Sequence, residues 1–538
     1  MNAKRLFSLW WIYMLVEIAL YAQKAPIAIT CYGTLQGVSE SGISVFKGIP
    51  YAAPPIGENR WRAPQPIKPW HGIRMADKFG DDPMQGNPFG DMGFAAEKKS
   101  EDCLYLNVWT PAKTMTEKLP VLIYFNGGGL IAGSGSEPRY AGASMARQGI
   151  VTVTANYREG IFGFFAHPEL SKETDYQGSG NYGFMDQIAA IKWVYENIAA
   201  FGGNPNEITI AGESAGAMSV SALLVSPLTK GMISKAIASS GSVCGRPFAS
   251  LKEAEMAGIK KMEEMGIKHI QDARQLSAEE LLLKSQMNDL PMYCVDGYVF
   301  NEIPEKSYLK GYQQKVPLLI GRNSMEMTPQ FLLRGKAPTL NNIYEICKQQ
   351  YGDKAKEVMN IYGLKSDKDV IGKPGVDLAS DIFIAYGTWY FGYIHAVTSG
   401  QPVYRYYFSH PRPAMIDKNV VAGLAGGIAK ADSSITNIPE TEGFKGAVHS
   451  ADIEYAMGTL PTNRVYDWQP EDYAVSDQFI RYYANFIKTG NPNGLGLADW
   501  SPINGLQNPP QLIIDVNSYE VRDEQFENRY LFLMKLKQ

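Results

Sequence analysis

The chain has 538 residues, of which 45% are hydrophobic and 20% charged, the proportions of an ordinary globular protein with a large core. Lys and Arg number 51 against 55 Asp and Glu, a formal charge of −4, and no basic stripe stands out, which excludes nucleic acid as a partner. No Cys-x-x-Cys or His-Glu-x-x-His pattern occurs, so no metal is expected.

Lys4 and Arg5 precede an apolar run over 6–20 that ends at Tyr21-Ala22, before Gln23. A charged start, an apolar centre and a small residue at the cut predict a signal peptide over 1–22 and a secreted or periplasmic protein. The run is short for a spanning helix and no second one follows, so no stable membrane insertion is expected. The remainder, 23–538, reads as one domain, since no low-complexity linker or internal repeat divides it. Five cysteines (Cys31, Cys103, Cys244, Cys294, Cys347) cannot all pair internally, and one or two bridges would suit an oxidising compartment.

Residues 121–125 form an apolar run after Pro120 that stops at a glycine triplet, and 151–154 are a second, β-branched run. A helix is predicted from about 186, with Ile188, Ile191, Tyr195 and Ile198 on its apolar face and Lys192 and Glu196 off it. Strand 208–211 then leads through Gly212-Glu213-Ser214-Ala215-Gly216 into helix 217–224. Further strands are predicted at 236–239, 316–320, 403–408 and 512–515, with helical stretches such as 251–266 and 278–285 between them. Buried runs separated by amphipathic helices indicate an α/β protein, with a large, mostly parallel sheet covered on both sides. The helical insertions decorate the C-terminal edge of that sheet, where such folds bind ligands.

A Gly-x-Ser-x-Gly between a strand and a helix is a nucleophile elbow, a sharp turn that lifts the serine hydroxyl clear of the backbone. Such a serine needs a base, an acid to orient the base, and donors for an oxyanion. With an elbow of this kind the chain order is serine, acid, histidine, which leaves His395, His410 and His449. His395 lies in the aromatic-rich stretch 390–397 and reads as packing, whereas His410 closes a strand before Pro411 and stays a candidate. His449 sits in a loop over 446–452 that opens into an apolar helix at 453–457, a rigid platform that favours it as the base. Glu326, just past the 316–320 strand, is the acid candidate. Glycines 127–129 after strand 121–125 let N–H groups approach an oxyanion, and the amide of Ala215 would add a further donor. No Gly-Lys-Ser/Thr follows the glycines, which argues against a phosphate cradle.

The stretch Ser-Glu-Asp-Cys-Leu-Tyr-Leu-Asn-Val at 100–108, the elbow with Glu213, Gly321-x-Asn323-x-x-Glu326 and Gly446-x-x-His449-x-x-Asp452 recur in one family. Tyr157 within 156–158, the run 201–205 and the run 488–493 fit it as well. Over nearly the whole mature chain the sequence resembles the type-B carboxylesterase/lipase family, which includes the cholinesterases. The resemblance implies an α/β-hydrolase fold, a triad of Ser214, Glu326 and His449, and oxyanion donors at Gly128, Gly129 and Ala215. It implies hydrolysis of a small-molecule carboxylic ester through an acyl-enzyme, on short-to-medium acyl or aryl esters, without a cofactor. A lipase, an acyltransferase or a noncatalytic binding protein would use the same scaffold, although the binding proteins of the family lack a triad member and this chain has all three. Glu213 has two open roles, stabilising the imidazolium or making a structural hydrogen bond.

Several positions depart from the family pattern. Asn126 stands where histidine is common, and Met325-Glu326-Met327 stands where Asp-Glu-Gly is usual. Met84 occupies the place of the cysteine that family members bridge to the Cys103 position, which leaves Cys31 as a substitute partner. Segment 86–96 is short and lacks the tryptophan with which cholinesterases hold a quaternary ammonium, so a choline ester specialist is not expected. Phe248 falls near the family's acyl pocket and Gly33 near its N-terminal strands, and packing accounts for both equally well.

Overall fold

Alternation of side chains across the strands divides the core of the protein into two layers. In the computed structural model, which describes residues 25–285, 293–429, 444–504 and 508–537, Val121, Ile123 and Phe125 point into one apolar cluster while Leu122 and Tyr124 point into the other. Both sets are buried, which is why this run has no polar face and suits the middle of a sheet.

The sheet has eleven strands among the described residues. In chain order these are β1 (Val38–Glu40), β2 (Ile43–Pro50), β3 (Tyr105–Thr110), β4 (Leu119–Phe125), β5 (Val151–Ala155) and β6 (Gly203–Glu213). They continue with β7 (Lys235–Ser239), β8 (Leu318–Asn323), β9 (Val403–Phe408), β10 (Gln511–Ile514) and β11 (Tyr519–Val521). Their spatial order is β11-β10-β9-β8-β7-β6-β4-β5-β3-β2-β1. The seven strands from β10 to β5 run parallel, and antiparallel pairs close both sides. This is the α/β-hydrolase architecture.

Helices cover both faces. On one face lie α1 (Tyr182–Asn197), α2 (Ala215–Leu223) and α3 (Tyr386–Ser399). On the other, α4 (Asp452–Met457) and α5 (Pro470–Thr489) pack Ile453, Phe479 and Ile487 against Leu122, Ile237 and Leu319. Phe479 is fully buried there between Tyr406 and Phe408, so its truncation to alanine would cost about 3–5 kcal/mol.

The predicted elements exist, with shifted ends. Helix α1 begins at Tyr182, four residues before its expected start, and Tyr195 is 38% exposed instead of packed on the apolar face. Strand β6 runs to Glu213, so the elbow serine follows the strand directly and α2 starts at Ala215. The cysteines are free thiols. Cys103 is buried in the larger core and Cys31 sits exposed in a turn between two strands (Ile27–Thr30 and Gly33–Gln36) of a small separate sheet, so the substitute bridge between them is not formed. Gly33 (φ 150°) lies under the indole of Trp70, a packing position. The segment 1–22, read above as a signal peptide, lies outside the described residues. Among those residues no helix is long and apolar enough to cross a membrane.

Candidate active site

Strand β6 ends at Glu213, and Ser214 turns the chain into α2 with φ 56° and ψ −120°. A non-glycine residue in that region is strained by roughly 1–3 kcal/mol, and the tight packing around the turn holds it there. A Cβ on Gly212 would strike the backbone of Gly216, and one on Gly216 would strike the carbonyl oxygen of Phe125. Those two glycines are thus required by close approach. The Ser214 N–H donates to the carbonyl of Ser239 at the end of β7 (2.9 Å), which fixes the turn to the neighbouring strand.

Three loops at the C-terminal edge of the sheet meet at this serine. His449 Nε2 is 2.9 Å from Ser214 Oγ, and His449 Nδ1 is 2.7 Å from Glu326 Oε2. The other oxygen of Glu326 accepts from Ser240 Oγ (2.6 Å) and from the backbone N–H of Asn323 (2.6 Å), so the carboxylate cannot swing away. The loops are also joined through their backbones. Met325 N donates to Ala447 O (2.8 Å), and Ala447 N donates to Ser324 Oγ (2.8 Å). The departure at Met325 therefore leaves the loop in place, and Met327 turns its side chain into the cavity wall. Below them, Asp452 accepts from Asn323 Nδ2 (3.0 Å) and Tyr406 Oη (2.7 Å), which ties α4 to β8 and β9.

Both His449 and Glu326 are buried, and the ring of Phe383 meets the imidazole edge-on at 5.0 Å. Burial lowers the pKa of His449. The charge of Glu213, together with the hydrogen bond and charge of Glu326, outweighs that and holds it up at about 8. Glu213 lies with Oε1 at 3.3 Å from His449 Nε2, and burial pushes its own carboxyl up to about 8 against the pull of His449. Of the two roles left open for Glu213, the contact with the imidazole is the one the geometry contains.

Gly128 (φ 110°) and Gly129 (φ 68°) lie across the cavity from Ala215, the first residue of α2. A Cβ on Gly128 would strike the carbonyl of Ala132, so that turn admits only glycine. Asn126 lies beneath the turn. Its Nδ2 donates to Glu159 (3.0 Å) and to the carbonyl of Gly127 (3.0 Å), while its own carbonyl accepts from Tyr157 Oη (2.9 Å). Where histidine is common, this chain has a buried brace for the glycine loop.

The two other histidines are otherwise engaged. His395 is buried with Nε2 at 2.8 Å from the carbonyl of Val316, which is packing. His410 is held by Asp472 and Asp515. Phe248 does not line the cavity: its ring packs on Tyr293 (4.7 Å) and Phe300 (5.3 Å), so packing is the reading that stands. The cavity is about 270 Å³ in volume, and its apolar wall includes Phe89, Met92, Met218, Phe331, Phe383 and Ile384. Arg139 and Arg246 also line it. Met218 comes from α2, Phe331 from a short helix (Pro329–Leu333), Phe383 and Ile384 from a helical turn (Asp381–Ala385), and Phe89 and Met92 from a loop, so the wall has no common periodic pattern and no sequence signal marked it. Among the described residues no group of three or more His, Cys, Asp or Glu could hold a metal ion.

A model of the carboxylesterase family matches residues 24–533. The chain belongs to that family. The esterase is 40% identical to a fumonisin B1 esterase of Sphingopyxis macrogoltabida over 343 residues, an alignment that spans 63% of each protein. It is 32% identical to a carboxylesterase 4A of Bos taurus over 531 residues, covering 89% of this chain and 90% of that protein. Among solved structures, a carboxylesterase of Geobacillus stearothermophilus superposes with a TM-score of 0.79 at 29% identity, covering 95% of this chain and all of that one. The esterase is thus a serine carboxylesterase that hydrolyses small-molecule carboxylic esters.

Proposed function

We propose that Ser214 is the nucleophile, His449 the general base and acid, and Glu326 the residue that orients the imidazole. The unbroken hydrogen-bond relay from Ser214 Oγ through His449 to Glu326 carries this reading. As Oγ attacks the ester carbonyl, its proton passes to His449 Nε2 and a tetrahedral oxyanion forms. The amides of Gly128, Gly129 and Ala215 receive that oxyanion, and the loss of one such donor lowers the rate by about 10²–10³. The tetrahedral species collapses as the C–O bond to the alcohol breaks, and the alcohol leaves with the proton from His449. Water then attacks the acyl-enzyme by the same route, giving the acid and regenerating Ser214. Glu213 faces the same ring nitrogen, and its ionised form favours the imidazolium formed in each step.

The mostly apolar, ~270 Å³ cavity suits short-to-medium acyl or aryl esters. We also read residues 1–22 as an export signal cleaved before Gln23, with 23–538 as one catalytic domain of a secreted or periplasmic enzyme. The composition of that segment supports this, and the family match begins at residue 24. The test is hydrolysis of p-nitrophenyl esters from acetate to palmitate by wild type and Ser214→Ala. Serine-dependent turnover with an optimum at short or medium chains is expected. An optimum at palmitate with interfacial activation would instead indicate a lipase, and Ser214-independent turnover would refute the nucleophile assignment.

A further inference from the structure

The two arginines in the cavity wall have different surroundings. Arg139 has a counter-ion, with Nε 3.0 Å from Glu137 Oε1, and it donates from Nη1 to the carbonyl of Ala425 (2.7 Å). Arg246 has none. Among the described residues its one hydrogen bond runs from Nη2 to the carbonyl oxygen of Phe383, and no carboxylate pairs with it. The acidic side chain that reaches its loop, Glu305, uses Oε2 on the N–H of Gly245 (3.0 Å) and Oε1 on the hydroxyl of Tyr390 (3.0 Å). Glu213, the other acid in the wall, is engaged with His449.

A guanidinium carries five N–H donors and keeps its charge at any physiological pH. One donor of Arg246 is satisfied by a backbone carbonyl, and the half-buried side chain offers the rest of its fork to whatever enters the cavity. Burial disfavours the charge and pulls its pKa below the ordinary arginine value, and among the described residues no carboxylate offsets this. The location is as informative as the charge. The residue whose carbonyl Arg246 grips, Phe383, sets its ring against His449 at 5.0 Å, so the cation lies one residue away from the imidazole facing Ser214. Phe331, Met218 and Ile384 line the same cavity, a mostly apolar setting in which a paired charge is worth more than in water.

We propose that Arg246 selects esters that carry a carboxylate elsewhere in the same molecule, gripping that group while the scissile carbonyl sits at Ser214. This rests on Ser214 being the nucleophile. The substrate class is then half-esters of dicarboxylic acids, or aryl esters bearing an acid on the alcohol part. The chemistry of cleavage is unchanged, and the cation supplies affinity and orientation.

Two pairs of near-isosteric substrates test this. In the first the charge is on the acyl side: mono-p-nitrophenyl adipate against p-nitrophenyl 6-methylheptanoate. In the second it is on the alcohol side: 4-acetoxybenzoate against its methyl ester. In wild type the acidic member of one pair should be preferred about tenfold or more in kcat/KM, mostly through KM, and the pair that responds identifies the side. In Arg246→Met that ratio should fall to about one, and Arg246→Lys should keep part of it. Adipate ion should inhibit wild type competitively and lose that effect in Arg246→Met. Wild type that shows no acid preference in either pair overturns the proposal, as does an unchanged ratio in Arg246→Met. The second result would leave Arg246 as an anchor for the Phe383 backbone. If the neutral esters are still cleaved by Ser214→Ala, the nucleophile reading fails instead, so the two failures are distinguishable.

Discussion

His449 and His410 both lie near the C-terminal edge of the same sheet, and each is held close to two carboxylates. In His410 both ring nitrogens are taken, Nδ1 by Asp515 at 2.9 Å and Nε2 by Asp472 at 3.0 Å. Burial lowers its pKa, but the hydrogen bonds to the two aspartates outweigh that and raise it to about 9. At neutral pH it is a locked imidazolium with no lone pair to offer. In His449, Glu326 takes Nδ1, while Nε2 is turned to a serine hydroxyl with Glu213 alongside at 3.3 Å. Two carboxylates do not make a histidine a base. The proposed base is the one with a ring nitrogen facing a serine hydroxyl, and a pKa near 8 keeps part of its population neutral.

The largest effect should separate the two histidines outright. Ser214→Ala and His449→Ala should each lower kcat by about 10⁴–10⁶, and Glu326→Gln by about 10³–10⁴, whereas His410→Asn should stay within a few-fold of wild type. Steady-state kinetics on one p-nitrophenyl ester checks all four, and a His410→Asn enzyme as inactive as His449→Ala would collapse the distinction. A smaller effect concerns pH. Since the base must be neutral, kcat/KM should rise through an inflection near 8. Glu213→Gln removes a carboxyl whose ionised form favours the imidazolium, and should move that inflection towards 6.5. An unmoved inflection would show that Glu213 does not act on the imidazole.

The smallest effect is on stability, and it belongs to His410. Its folded pKa is raised above the unfolded value, so its contribution is fully present below about pH 6.5 and is lost as pH rises through about 9. His410→Asn should therefore destabilise the protein by about 1–2 kcal/mol near pH 6, and the difference should shrink above pH 9. Urea titrations at both pH values measure this, and a pH-independent difference would mean that packing alone is lost.

What could be read in the sequence and what could not follow from locality. The elbow was legible because Gly212, Ser214 and Gly216 act within one turn, and the buried runs because sheet burial leaves an unbroken apolar string. Between His410 and His449, residue types alone left both in play, because the decisive fact is which carboxylates sit on which nitrogen. Asp472 and Asp515 are 62 and 105 residues from His410 along the chain. The wall of the cavity was illegible for the same reason. Among the described residues Arg246 is set apart by having no carboxylate paired with it, and such a difference in three dimensions leaves no mark on the local sequence.

The most direct test of the account is to inactivate the esterase with a fluorophosphonate and map the adduct by mass spectrometry in wild type and His449→Ala. A single phosphonyl group on Ser214 is predicted, formed in step with loss of activity and orders of magnitude more slowly in the variant. Complete inactivation with Ser214 unmodified, or equal labelling rates in both proteins, would contradict it.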